Sequence, residues 1–208
     1  MKEIYLVRHG KQNTIYFNEN RELSEIGVKQ ARLLRDRLKD EHYDKFYSST
    51  LKRAVETADI LNENWHMPIE RREELNEIDY GIYTGEEIAS LKGKNKAFFD
   101  ALNSRKTDLS FPEGENGEMV YSRVKPIFTE IEKSSFSRIL IVCHGAMIRA
   151  TICGLLRLPF TARLAFSKYL DNTSMTKLLY DEETGLYYLE SINDRSHLLA
   201  HQELLRDY

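Results

Sequence analysis

Two unbroken apolar runs, each followed by a helical pattern, constrain the fold of this chain more than any other feature of its sequence. One run covers residues 4–7 and the other lies within Arg138–Cys143. An apolar run without polar alternation is typical of a strand that is covered on both faces, as in a parallel sheet. A shorter strand pattern at Lys45–Ser48 is also followed by a helical segment. Strands that alternate with helices in this way predict an α/β domain with a mostly parallel sheet.

The helical segments are indicated by apolar residues that recur every three or four positions. The first helix is expected to begin after Ser24, whose side chain can cap it. We expect Pro126 to kink the helix in which it lies. The same periodicity predicts further helices over residues 51–64, 86–102, 119–133 and 146–156.

The end of the chain has a different pattern. Residues 174–180 and 186–192 are rich in strand formers and are separated by a turn-like segment, which predicts a β-hairpin. Together with the alternating part, this predicts a three-layer α/β/α sandwich with a mostly parallel central sheet and a C-terminal β-hairpin. Because no linker or repeat divides the chain, we expect a single domain over residues 1–208.

Charge and composition argue against several kinds of partner. The net charge is −3 and the basic residues are interspersed with acids, which is unlike a nucleic-acid-binding surface. No apolar run approaches the ~18 residues that span a bilayer, and the run at 4–7 is too short for an export signal. Cys143 and Cys153 are too few for a disulfide framework. We therefore expect a cytoplasmic protein that binds neither nucleic acid nor membrane, and a homodimer is an assembly that the sequence leaves open.

Polar residues follow the predicted strands at the points where the strands end. Arg8 and His9 follow the first apolar run, His144 and Gly145 follow the second, and Arg53 lies near the start of the helix after the third. Because the carboxyl ends of parallel strands share one edge of a sheet, we expect these side chains in one crevice. A neutral imidazole can act as a nucleophile, and an arginine fork matches phosphate oxygens. The pattern therefore indicates a site for a phosphoryl group.

Each of these residues also has a simpler interpretation when it is taken singly. A lone histidine is most often a semi-buried structural residue, and Arg53 alone would be a surface residue paired with Glu56. Two His-Gly pairs at strand ends make coincidence much less plausible than one pair would. The position of Arg53 near a helix start favours an anion site.

Several segments of the chain resemble the histidine phosphatase superfamily, the phosphoglycerate mutase-like proteins, whose hallmark is an R-H-G motif at the end of the first strand. The motif stands here at residues 8–10. The other matching segments, in the order expected for the family, are LSEIGVKQA, SSTLKRAVETA, LNEIDYGIYTGEE, PEGENGEMVYSRV, VCHGAMIR and DNTSMTKL.

The resemblance implies a role for each candidate residue. His9 becomes the transient phosphohistidine, and Glu77 protonates the leaving oxygen and then activates the water that releases phosphate. Because arginines and a histidine neutralise the phosphoryl charge, we expect neither a metal nor a cofactor. The substrate is expected to contact Arg8, Arg53, His144, Gly145 and Asn13.

Glu77 depends on the resemblance more than the other residues do. It lies in a glutamate-rich stretch with Glu73 and Glu74, where a surface charge is the simpler interpretation. The charge of a bound phosphate would nevertheless favour the protonated carboxyl, as a general acid requires.

The sequence departs from the family pattern on the side of the leaving group. The loop KQNTIYFNENRE does not align in register with the family's loop, and Asn13 is the candidate for the family's phosphate-contacting asparagine. Asn116 stands where the family has a serine. Aromatic residues near the predicted pocket suit either a ring-bearing leaving group or the core. They are Tyr16, Phe17, Tyr80, Tyr83, Phe98, Phe99 and Phe111.

We therefore expect a phosphoric monoester hydrolase that acts on a small phosphorylated metabolite. Two alternatives stay open, a cofactor-dependent phosphoglycerate mutase and a non-catalytic phosphate-binding module. The connection from Glu77 to His144 is shorter than mutases of the superfamily usually have, which favours the phosphatase. The presence of every carried-over site residue argues against the non-catalytic module.

Overall fold

The computed structural model describes residues 1–205, apart from the side chain at position 92, and its elements follow the predicted alternation. The strands within these residues are β1 (Lys2–Arg8), β2 (Lys45–Ser48), β3 (Ile69–Arg71), β4 (Arg138–Cys143), β5 (Met175–Asp181) and β6 (Leu186–Asp194). The α-helices are α1 (Glu25–Arg37), α2 (Lys52–Asn62), α3 (Ile88–Lys94), α4 (Lys96–Asn103), α5 (Gly117–Lys133) and α6 (Gly145–Leu155).

All of these strands belong to one sheet in the order β3-β2-β4-β1-β5-β6. The pairs β3/β2, β2/β4 and β4/β1 are parallel, whereas β5 runs antiparallel to both β1 and β6. The strands β5 and β6 form the predicted hairpin. The predictions of a mostly parallel sheet and of a C-terminal hairpin are therefore confirmed.

Helices cover both faces of the sheet because successive residues of the central strands point to opposite sides. In β4, Ile139 and Ile141 join the apolar cluster that contains residues of α5 and α6. Leu140 and Val142, which alternate with them, join the cluster formed with α1 and α2. These four side chains are fully buried, which confirms the three-layer arrangement.

Two local features differ from the sequence-based predictions, whereas the helix predicted around Pro126 is present. The single helix predicted over 86–102 is divided into α3 and α4 at Asn95, whose backbone leaves the helical region (φ −117°, ψ 31°) and whose side-chain amide donates to the Leu91 carbonyl at 3.0 Å. The strand β3 was not predicted, because three residues are too few to show a period. Pro126 lies inside α5 without ending it.

The start of α1 shows how the sequence places the loop that follows β1. The Ser24 hydroxyl accepts a hydrogen bond from the Gly27 amide at 3.1 Å, as predicted for an N-cap. A β-carbon on Gly27 would lie 2.1 Å from the Lys11 carbonyl oxygen, so only glycine permits this close approach of the loop.

Two expectations are only partly addressed by the described residues. No helix within residues 1–205 is long and apolar enough to cross a membrane. The prediction of one domain over 1–208 includes residues 206–208, which lie outside the described residues, and it stays a prediction.

Candidate active site

The carboxyl ends of three neighbouring parallel strands bring the predicted residues together. The order β2-β4-β1 places Ser48, Cys143 and Arg8 at one edge of the sheet. The ladder continues beyond the strands, since the His9 amide donates to the Cys143 carbonyl at 3.0 Å. His9 and His144 leave adjacent strands together, and their ring centres are 5.0 Å apart.

The hydrogen bonds of His9 indicate which of its ring nitrogens carries the proton. Nδ1 lies 2.6 Å from the Gly10 carbonyl oxygen, which can only accept, so Nδ1 donates. Nε2 accepts from the Arg53 Nε at 3.2 Å and therefore holds the lone pair. Burial, together with the charges of Arg53 and Arg8, lowers the pKa of His9 well below its usual value of 6.5. The ring is neutral near pH 7, with Nε2 available as a nucleophile.

Arg53 is held in the first turn of α2 and is only 2% exposed. Besides its contact with His9, it donates through Nη2 to the Asn18 side-chain oxygen at 2.8 Å and through Nη1 to the Glu19 carbonyl at 3.3 Å. Burial lowers the pKa of Arg53, but an arginine remains charged at any physiological pH. The site therefore has a fixed, oriented positive charge beside His9.

Arg8 supplies a second positive charge at the end of β1. One of its terminal nitrogens donates to the Leu170 carbonyl, which orients the guanidinium. A β-carbon on Gly145 would lie 3.5 Å from the Arg8 Nε, so the first turn of α6 is close to this group. Because Gly145 is the first residue of α6, its amide has no acceptor within the helix and is suited to bind an anion.

His144 is completely buried and belongs to a hydrogen-bond chain. The Ser49 hydroxyl donates its only hydrogen to the Asn76 side-chain oxygen at 2.7 Å, so it accepts from His144 Nε2, also at 2.7 Å. Nδ1 of His144 therefore holds the lone pair. Burial and the nearby Arg53 lower the pKa of His144 well below 6.5. Its orientation is determined by two residues, Ser49 and Asn76, that the sequence did not single out.

The Glu77 carboxylate lies against the start of α6. It accepts hydrogen bonds from the amides of Met147 at 3.0 Å and Ala146 at 3.3 Å, and from its own neighbour Ile78 at 3.0 Å. The amides of Ala146 and Met147 belong to the N-terminal end of α6, which attracts negative charge. Glu77 is therefore not the surface charge that the local sequence suggested, and it shares the α6 terminus with Gly145.

A cavity of about 270 Å³ opens at this site. Arg8, His9, Arg53 and Glu77 line it, whereas His144 and Gly145 lie beside these residues and outside the lining. The rest of the lining comes from Lys11, Gln12, Thr14, Phe17, Asn18, Tyr80, Ile88 and Asn172.

Asn13 is a third predicted site residue that does not line the cavity. Its side chain is exposed, and its backbone amide donates to the Glu22 backbone carbonyl at 3.1 Å. Asn18 lines the cavity instead and accepts from Arg53. Asn18 lies five residues after Asn13 in the same loop and has a left-handed backbone (φ 50°) that asparagine tolerates well.

Asn172 is a second residue that the sequence did not assign to the site. Its side-chain amide donates to the His9 carbonyl at 2.9 Å, and the following Thr173 amide donates to the Arg8 carbonyl at 2.9 Å. The segment DNTSMTKL matched the family, but its residues received no role because only the antiparallel pairing of β5 with β1 brings them to His9.

Most of the candidate pocket aromatics belong to the core. Phe17 and Tyr80 line the cavity, whereas Tyr83 and Phe111 are buried in the apolar cluster against which Phe98 and Phe99 pack. Within residues 1–205 no group of three or more His, Cys, Asp or Glu side chains could hold a metal ion.

Comparison with known proteins agrees with this geometry. The chain is 31% identical over 166 residues to phosphoserine phosphatase 1 of Hydrogenobacter thermophilus. This match covers 79% of this chain and 78% of that protein. It is 28% identical over 207 residues to the probable phosphoglycerate mutase GpmB of Proteus mirabilis, with 95% of each chain covered. The solved structure of mycobacterial glucosyl-3-phosphoglycerate phosphatase with inorganic phosphate superposes with a TM-score of 0.85 at 25% identity, covering 95% of this chain and 99% of that one.

The family comparison covers nearly the whole chain. A model of the histidine phosphatase superfamily (branch 1) matches residues 4–195, from β1 to the end of β6. The phosphatase names among the relatives agree with the predicted phosphoric monoester hydrolase. With the R-H-G turn, its arginines and the second histidine assembled at one sheet edge, this chain belongs to branch 1 of the histidine phosphatase superfamily.

Proposed function

We propose that this protein is a metal-independent phosphatase that hydrolyses a small phosphomonoester through a phosphohistidine on His9. The observation that carries the proposal is the neutral, buried His9 ring, whose unprotonated Nε2 lies 3.2 Å from the Arg53 Nε in the wall of the cavity. A nucleophile needs a free lone pair, and a dianionic substrate needs fixed positive charge beside it.

In the first step the His9 Nε2 attacks phosphorus and the bond from phosphorus to the leaving oxygen breaks. The incoming phosphoryl oxygens replace His9 as the acceptor of the Arg53 Nε hydrogen bond, and Arg8 and the Gly145 amide are the other donors at this end of the sheet. Glu77, in its protonated form, gives its proton to the leaving oxygen so that a neutral alcohol departs.

In the second step water releases the phosphate. The Glu77 carboxylate takes a proton from water, the water oxygen attacks phosphorus, and the bond from phosphorus to His9 Nε2 breaks. Inorganic phosphate leaves, and Glu77 again holds the proton that it needs for the next turnover. One carboxyl therefore serves as acid and then as base.

The cavity supports a small, polar leaving group. Its volume of about 270 Å³ must hold the phosphoryl group as well, and polar side chains such as Gln12 and Thr14 line it. Since most of the candidate aromatics lie in the core, a large ring-bearing leaving group has little support. Phosphorylated amino acids and sugars are of a suitable size.

A second candidate is a cofactor-dependent phosphoglycerate mutase, because one relative is named as a probable enzyme of that kind. A mutase returns the phosphoryl group to an organic acceptor, whereas a phosphatase transfers it to water. Incubation with 3-phosphoglycerate separates the two, because the mutase yields the 2-isomer and the phosphatase yields free phosphate.

The proposal is tested by trapping the intermediate. Rapid quenching of the enzyme with a ³²P-labelled substrate should label one histidine, and peptide mapping should place the label on His9. His9→Ala should show neither label nor turnover while its circular dichroism stays native. His42→Ala is the matched control, since this histidine is 82% exposed and lies outside the site. Full turnover by His9→Ala, or a label elsewhere, would refute the proposal.

A further inference from the structure

The backbone that carries Glu77 has no regular secondary structure, although a general acid must be placed accurately. Glu77 lies between the 3₁₀ turn Glu73–Leu75 and the 3₁₀ turn Gly81–Tyr83. The amides of α6 hold the carboxylate itself, but they do not hold the chain from which it projects. Buried Leu75 and Ile78 and the bond from Ser49 to Asn76 anchor side chains of this segment, and contacts to its backbone add to them.

Arg123 of α5 contacts the segment directly through its guanidinium. Nη1 donates to the Glu74 carbonyl at 2.6 Å, and Nη2 donates to the Glu77 carbonyl at 3.0 Å. Both acceptors are backbone oxygens, and one belongs to the proposed acid itself. Arg123 thus binds the backbone of this segment at two points, the carbonyls of Glu74 and Glu77.

Glu115 completes the arrangement from the loop before α5. Its carboxylate accepts from the Arg123 Nε at 2.7 Å and Nη2 at 2.9 Å, which is the bidentate geometry of a strong ion pair. The same carboxylate accepts from the Asp79 amide at 2.9 Å, and the Glu115 amide donates to the Asp79 carbonyl, also at 2.9 Å. The Arg123–Glu115 pair therefore holds the chain on both sides of Glu77.

This use of the guanidinium requires an arginine. All three nitrogens of Arg123 have partners in different directions, and a lysine ammonium at the end of a flexible stem cannot reproduce that fork. The pair is mostly shielded from water, since the side chains are 24% and 16% exposed, so its hydrogen bonds are stronger than those of a surface pair.

We propose that Arg123 and Glu115 are positioning residues that set the location of the Glu77 carboxyl, and that they act on proton transfer to the leaving group without touching the substrate. The inference rests on the proposed function, because it needs Glu77 as the acid. The inference has a specific consequence. Loss of the pair should slow the hydrolysis of substrates whose leaving group needs a proton, and it should change much less the hydrolysis of substrates whose leaving group does not.

The test compares an alkyl phosphate, such as phosphoserine, with p-nitrophenyl phosphate. Arg123→Lys should lower kcat for the alkyl phosphate by roughly 10- to 100-fold more than for the aryl phosphate, the scale expected for a misplaced catalytic group. KM should change less than kcat. In a Glu77→Gln background the same substitution should cause no further loss on the alkyl phosphate. Glu115→Gln, which keeps the size of the side chain, should change kcat in the same direction.

A matched control is available in Arg163, which forms an ion pair with Asp108 at 2.8 Å and is 4% exposed. Asp108 accepts from the Glu118 amide, and none of the described hydrogen bonds of this pair reaches the Glu77 segment. Arg163→Lys should therefore lower stability without changing the ratio of alkyl to aryl turnover. If Arg123→Lys fails to fold, Glu115→Gln alone decides the question.

The outcomes separate the inference from the function on which it rests. In one outcome, the loss in kcat caused by Glu77→Gln is larger on the alkyl than on the aryl phosphate, but Arg123→Lys and Glu115→Gln lower kcat equally on both substrates. The positioning role is then overturned and the proposed function stands. If Glu77→Gln itself lowers both activities equally, its role as the acid fails and the positioning role fails with it. The positioning role would also be overturned if Arg123→Lys lowered kcat on the alkyl phosphate as much in the Glu77→Gln background as it does in the native enzyme.

Discussion

Replacement of Arg53 by lysine tests the proposed phosphoryl site most directly. Lysine keeps the positive charge at the start of α2 but has one nitrogen in place of three. In the structure the three nitrogens of Arg53 have separate partners, namely His9, Asn18 and the Glu19 carbonyl. A single ammonium cannot hold Asn18 and also offer two parallel N–H groups to a phosphate.

The size of the effect follows from the bonds that are lost. We count two charge-assisted hydrogen bonds to phosphoryl oxygens, and each such bond contributes about 1.5–3 kcal/mol. Their loss amounts to roughly 3–6 kcal/mol, which corresponds to a decrease in kcat/KM of roughly 10²- to 10⁴-fold. Because the arginine holds charge throughout the reaction, both KM and kcat should be affected.

The assay is steady-state hydrolysis of p-nitrophenyl phosphate, with thermal unfolding measured on the same samples. Arg71→Lys serves as the control, since Arg71 is exposed and pairs with Asp59 at 2.8 Å. That variant should keep the activity of the native enzyme. A kcat/KM for Arg53→Lys within about threefold of the native value would refute the claim that the fork, and not only the charge, binds the phosphoryl group.

The remaining predictions concern the acid, the loop, the absence of a metal requirement and pH. Glu77→Gln should lower kcat by roughly 10²- to 10⁴-fold on alkyl phosphates and much less on p-nitrophenyl phosphate, and equal losses would count against its role as the acid. Asn18→Ala should raise KM because it releases Arg53, whereas Asn13→Ala, at an exposed position, should match the native enzyme; the reverse order would restore the sequence-based assignment. Incubation with EDTA should leave activity unchanged and vanadate should inhibit, whereas loss on chelation with recovery on adding Mg²⁺ would contradict a mechanism based on arginines. Burial lowers the pKa of His197 to about 4 from 6.5, so below pH 6.5 the unfolded chain binds a proton there that the folded chain does not. The free energy of unfolding should therefore fall as pH decreases from 6.5 toward 4, by up to about 1.4 kcal/mol per pH unit from this residue, and urea titrations should show a shallower fall for His197→Gln.

Local patterns in the sequence were sufficient for the architecture. The apolar runs predicted β1 and β4, and the three- to four-residue periodicity predicted α1, α2, α5 and α6 to within a few residues. These predictions succeed because burial on both faces of a sheet imposes a pattern that can be read from neighbouring residues. The R-H-G and C-H-G segments also predicted which side chains would meet, since the ends of parallel strands share an edge.

Where a signal was short or depended on a single side chain, prediction from sequence failed. Three residues of β3 show no period, and the break between α3 and α4 falls at one residue, Asn95, whose backbone leaves the helical region. Asn18 was not predicted to line the cavity, because the register of an irregular loop cannot be counted from the motif before it.

The sequence by itself predicted the fold class and the two histidines and two arginines that the structure brings to one edge of the sheet. Only the tertiary structure decided how these groups are held. Each of the contacts that hold them joins residues far apart in the chain. Arg53 contacts His9, Ser49 and Asn76 orient His144, and Arg123 binds the backbone at Glu77. A sequence pattern reports on residues that share one element, whereas burial, protonation and the position of an irregular segment are properties of the contacts that form after the elements pack.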